Sequence, residues 1–110
     1  MSERKPADVA VTEMVRRIVD RFHPDRIILF GSRARGDAAA DSDADLLVVM
    51  PLSGSRRETA TAIDMALWGV DLPADVLVVT PEELERATNS EVGVLGPALR
   101  EGKTVYARSA

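Results

Sequence analysis

The sequence predicts an α/β (α+β) domain. Three apolar runs have strand length: Ile27 to Phe30, Asp45 to Met50, and Val76 to Val79. Around them lie stretches whose apolar residues recur at helical spacing, the main ones from Asp8 to Phe22 and from Arg56 to Trp68. Proline-bearing breaks separate the two kinds of segment, at His23-Pro24-Asp25, Pro51, Pro73 and Pro81. A chain of 110 residues has room for one core, so residues 1–110 are expected to form a single domain.

Residues 1–7 are polar and expected to be disordered. In the first helix Val11, Met14, Val15, Ile18, Val19 and Phe22 form the buried stripe, with Asp8 or Thr12 as cap and Arg16, Arg17, Asp20 and Arg21 outside. Pro24 disfavours helix at His23, which is given no further role. Ile27 to Phe30 is apolar at every position and is expected to be buried on both faces. Residues 33–36 read as a short helical turn and residues 37–41 as a connection. In the helix from Arg56, the residues Ala60, Ile63, Leu67 and Val70 face inward, and Gly69 ends it. Met65 and Trp68 fall off that stripe, as cover for the core edge or as a partner surface, with core cover preferred. Thr80 caps a further helix with Pro81 in its first position. Residues 89–102 carry apolar residues interrupted by Gly93, Gly96 and Pro97, which suggests a broken helix ending at Gly102. Lys103 to Ala107 is expected to be a final strand with Tyr106 as an edge aromatic.

The chemistry concentrates between Arg26 and Met50. The first apolar run ends in Gly31-Ser32, where a Cβ-free residue lets backbone approach a ligand and the N–H groups of a following helical turn favour an anion. The second apolar run opens on Ser42-Asp43-Ala44-Asp45. Side chains alternate along a strand, so Asp43 and Asp45 would share one side, roughly 7 Å apart. Two such carboxylates repel unless a cation lies between them, and hard oxygen donors suit Mg2+ or Mn2+. Asp75 has the same position at the start of the third run. Asp71 competes for that role from the linker before Pro73. Gly-Ser after a strand is also ordinary turn chemistry, and an acidic segment is ordinarily a solvated turn. The two halves together, each abutting its own strand, point to a nucleoside triphosphate with bound metal.

Hydrophobic residues at 45% and charged residues at 29% are ordinary for a globular protein. The formal net charge of −4 argues against a large non-specific nucleic-acid surface. No run is long enough to span a membrane, and the first residues do not form a signal peptide. Without cysteine there is neither disulfide nor thiolate site, which fits the cytoplasm.

The compound motif Gly31-Ser32-Arg33-Ala34-Arg35-Gly36, five residues, Ser42-Asp43-Ala44-Asp45-Leu46 resembles the signature of the minimal nucleotidyltransferases (MNT domains) of the DNA polymerase β-like superfamily. Asp75 before an apolar strand and the closing Glu101-Gly102-Lys103-Thr104-Val105-Tyr106 extend the resemblance over nearly the whole chain. It implies a small mixed β-sheet with helices packed on one face. It implies that Asp43, Asp45 and Asp75 are catalytic and hold divalent metal, two Mg2+ ions with Mn2+ as the alternative. It selects Asp75 over Asp71, and Asp75 then helps to take the acceptor proton. Gly31 and Ser32 would hold the ATP phosphates, with Arg33 and Ser42 beside them and Arg35 as scaffold. The implied reaction moves AMP from ATP to an acceptor hydroxyl. Small members of this kind are antitoxins that adenylylate a tyrosine of a HEPN-type RNase toxin, so such a toxin is the expected partner and an oligomer is compatible. The alternatives are an antitoxin that acts by binding alone, and a small-molecule or RNA nucleotidyltransferase completed by a second subunit.

Overall fold

The structure, a computed structural model, describes residues 6–31, 43–88 and 102–108. Within these, α1 (Pro6–Phe22) leads to β1 (Arg26–Phe30) and β2 (Ala44–Val49). They are followed by α2 (Arg56–Ala66), β3 (Ala74–Val79), α3 (Pro81–Thr88) and β4 (Lys103–Ala107). The strands form a mixed sheet in the order β3-β2-β1-β4. β1 runs antiparallel to both β2 and β4, and β2 runs parallel to β3. A parallel pair needs a crossover, and α2 supplies it.

Alternation along the strands divides the interior in two. Ile27, Ala44, Leu46, Val48 and Val78 turn to one face, where Met14 and Ile18 of α1 and Ile63 and Leu67 at α2 pack on them. Ile28, Leu47, Val49 and Val79 turn to the other, joined by Phe30 and by Leu84 of α3. The predicted stripe of α2 is the buried one: Ile63 and Leu67 are buried, with Ala60 and Val70 packed against them.

Side chains tie these layers at their ends. Arg17 of α1 donates through Nη1 to the carbonyls of Ala66 (3.2 Å) and Trp68 (2.7 Å), satisfying acceptors left free where α2 ends. Glu13 steadies Arg17 at 2.8 Å. Hydrogen bonds from Arg16 and then Arg17 hold the Glu13 carboxyl at about 2. At the other end of α2, Arg56 donates to the Val78 carbonyl (2.9 Å) and to Glu83 (2.7 Å). α3 opens with a reciprocal cap: the Glu83 N–H donates to Thr80 Oγ1, and the Thr80 N–H donates to Glu83 Oε1.

The structure departs from the sequence expectations at several boundaries. α1 starts at Pro6, so of residues 1–7 the last two are helical, and Asp8 falls inside the first turn instead of capping it. Proline suits a helix start because its missing N–H would have no partner there. His23 takes a left-handed φ of 49° directly after α1. β2 runs from Ala44 to Val49, one residue earlier at each end than the expected Asp45 to Met50, and Asp43 lies just ahead of it. α2 stops at Ala66 with Leu67 as its C-cap, short of Trp68, and Gly69 follows at φ 89°. Met65 and Trp68 are 72% and 87% exposed, so they do not cover the core edge. Tyr106 on edge strand β4 does pack against the main core. The turn at 33–36, the connection at 37–41 and residues 89–101 of the expected broken helix lie outside the described residues.

Candidate active site

The site forms where β1 ends and β2 and β3 begin. Phe30, the last residue of β1, is the register partner of Asp45. Gly31 follows at φ 76°, a conformation that side chains disfavour. A Cβ built there would collide with the Asp45 carboxylate. Glycine is thus required twice at this position, for its backbone angle and for the space the carboxylate occupies.

Asp45 and Asp75 are register partners across the parallel pair β2–β3. In-register neighbours on parallel strands project to the same face, with strands about 4.8 Å apart. That face is the one carrying Leu47 and Val49, away from α1 and α2. Asp75 is exposed and Asp45 is half-buried. Asp43 is exposed just ahead of β2, where the next residue, Ala44, donates its N–H to the Pro73 carbonyl (2.9 Å) and extends the pairing. Burial pushes the Asp45 carboxyl up, and the charges of Asp75 and then Asp43 push it further. These three carboxylates therefore share one field. Asp71, exposed in the turn before β3, is not among the charges acting on Asp45.

Sequence reasoning missed a fourth carboxylate. Asp64 of α2 is also pushed up, first by burial and then by the charge of Asp75. It adjoins the buried Ile63 in sequence and reads there as an ordinary solvated helix residue, so periodicity alone carries no signal for it. Asp64 lines a hollow of about 530 Å³, whose other walls are Leu67, Trp68, Gly69, Val70, Leu72, Pro73 and Ala74. Ser32, Arg33, Arg35 and Ser42 lie outside the described residues.

A family profile for the nucleotidyltransferase domain matches residues 11–104. The chain belongs to this family. A comparison with curated proteins finds no match. Among solved structures, the nucleotidyltransferase fold resembles a Sulfolobus solfataricus protein assigned to the nucleotidyltransferases. The TM-score is 0.62 and the identity 19%, over 97% of this chain and 91% of that one. It also resembles a chain of a toxin–antitoxin complex with AMP-PNP, with TM-score 0.58 and 24% identity over 88% and 73% of the two chains. A third similar chain comes from the tri-AMPylated Shewanella oneidensis HEPN toxin in complex with MNT antitoxin. There the TM-score is 0.53 and the identity 20%, over 92% and 72%. At these identities the likeness is one of fold.

Proposed function

We propose that this nucleotidyltransferase moves AMP from ATP to a hydroxyl on a separate protein, a tyrosine of a HEPN-type toxin, and so acts as an antitoxin in the cytoplasm. The observation that carries the proposal is the register pair Asp45–Asp75, with Asp43 beside it and Gly31 against Asp45. The toxin–antitoxin structures of similar fold support the choice of partner. Residues 1–110 act as one domain in this scheme.

The donor set fits a divalent cation. Its groups are hard carboxylate oxygens; burial and then the charges of Asp75 and Asp43 raise Asp45, and a cation would favour its charged form. Among the described residues no three acidic or histidine side chains are gathered closely enough to hold a metal ion by themselves. Asp43, Asp45 and Asp75 would therefore hold Mg2+, one ion or two, together with substrate phosphate oxygens and water, which is the usual habit of this ion. When bound, the metal neutralises phosphate charge and lowers the pKa of the acceptor hydroxyl.

The chain's own groups do the rest. Gly31 would present backbone to the β- and γ-phosphates, a role the motif also assigns to Ser32, with Arg33 and Ser42 as further phosphate-binding candidates. The acceptor oxygen bonds to the α-phosphorus, and the bond from that phosphorus to the bridging oxygen breaks. Pyrophosphate leaves with that electron pair. Asp75 accepts the proton lost by the hydroxyl.

The test incubates the protein with labelled ATP, Mg2+ and the product of the neighbouring gene, then maps the label by mass spectrometry. AMP on a partner tyrosine supports the assignment. Inhibition of the partner that persists without ATP, and with Asp43 and Asp45 both replaced by Asn, shows that binding alone is the function.

A further inference from the structure

The hollow beside Asp64 lies at the same end of the sheet as Asp75. Its floor is apolar, built from Leu67, Val70 and Leu72. Trp68 stands on its rim, 87% exposed, with Met65 also exposed one turn back on α2. An exposed indole beside an apolar hollow has no role in the chain's own core. Its backbone is nevertheless fixed, because Arg17 holds the Trp68 carbonyl at 2.7 Å. A tryptophan on an anchored backbone next to an apolar pocket is a frequent element of binding hot spots. The charge around the hollow is mainly acidic: Asp64 lines it, exposed Asp71 is in the turn between the lining residues Val70 and Leu72, and Asp75 is close enough to act on Asp64, while Arg17, which reaches the Trp68 carbonyl, is itself paired with Glu13. An acidic rim repels phosphate backbones and attracts Lys and Arg.

We propose that this hollow seats the acceptor protein, through a segment that places an apolar or aromatic side chain against Trp68 and basic residues against Asp64 and Asp71. The seat lies beside the start of edge strand β3, where Ala74 forms its wall and the next residue, Asp75, faces the other side of the sheet, so the acceptor hydroxyl reaches Asp75 around that edge while the nucleotide comes from the side of Gly31. This deepens the nucleotidyl-transfer assignment and rests on it. Trp68 sets which acceptor docks, and Asp64 positions it.

Trp68 is the chain's only tryptophan, so its fluorescence reports directly on the hollow. The probes are a short peptide with Tyr flanked by Arg, its counterpart with Glu in place of Arg, and a single-stranded RNA of similar length. The basic peptide should shift the Trp68 emission and saturate, with an affinity at least about tenfold above that of the acidic peptide. Asp64→Asn should weaken that affinity. For AMP transfer to the basic peptide, Trp68→Phe should keep most of the rate, while Trp68→Ala should raise KM on the order of tenfold with kcat little changed. AMP-PNP affinity should be the same in both Trp68 variants as in the unaltered protein. Equal response to both peptides, stronger binding of the RNA, or an unchanged KM in Trp68→Ala would overturn the docking proposal. The nucleotide assignment fails separately, if AMP-PNP with Mg2+ does not bind or binds equally well to Gly31→Val.

Discussion

Gly31 and Asp45 constrain each other, and the proposed chemistry draws on both. Gly31→Val puts a branched side chain at φ 76° and into the Asp45 carboxylate. Calorimetry with ATP and Mg2+ should show binding reduced beyond detection. Unchanged affinity would place the nucleotide elsewhere. Asp45 also carries a cost in the absence of metal. Its folded-state carboxyl is raised, so it binds its proton more tightly folded than unfolded. Stability from this group is fully present below the unfolded pKa and falls as pH rises through the folded one. At neutral pH and in chelator, Asp45→Asn should therefore melt at the same temperature as the unaltered protein or higher, while nucleotide transfer is abolished. A lower melting point combined with retained transfer would contradict both parts. Asp43→Asn and Asp75→Asn should also abolish transfer with the fold intact.

At the scale of elements, two joints hold the helices in place. The first is the start of α3, where Thr80 and Glu83 cap each other and Arg56 reaches in from α2. Thr80→Ala removes the cap at a cost of about 1 kcal/mol, measurable by urea denaturation. Hydrogen bonds from Arg56 and then the Thr80 N–H hold the Glu83 carboxyl at about 2, against an ordinary 4.5. A lowered carboxyl contributes stability above the unfolded pKa and loses it as pH falls towards the folded one. Melting curves between pH 5 and 2 should thus fall less steeply for Glu83→Gln than for the unaltered protein. The second joint is Arg17 against the end of α2, and Ile63, fully buried beside it, anchors that helix to the sheet. Ile63→Ala should cost about 2–5 kcal/mol in the same denaturation measurement.

For the molecule as a whole, the sequence was most legible where burial alone decides the outcome. The buried stripe of α2 follows from apolar spacing and stands in the structure, whereas β4, exposed along most of its length, matches the expected bounds without burial to mark them. The placement of Asp45 opposite Asp75 was not legible in that way. It depends on the register between two strands joined by a crossover, and each strand's own pattern is silent about its partner. Asp64 was hidden for a related reason: it is an exposed helix residue, as its sequence neighbours suggest, but its proximity to Asp75 comes from the fold and not from the helix pattern. Trp68 was assigned to the core edge because periodicity says which residues leave a stripe, not what waits beyond it. The register pair also has a consequence in time. Like charges directly opposed across strands disfavour pairing, and here they sit at the opening of β2–β3, the parallel pair among the described strands, whose partners lie 30 positions apart in sequence (Asp45 and Asp75). Docking of β3 on β2 must bring those charges together before the rest of the ladder rewards it. Salt, acid or a divalent cation should each speed refolding in stopped-flow measurements, with the effect lost in Asp45→Asn, so the two carboxylates proposed for the chemistry would also govern how quickly the chain finds its sheet.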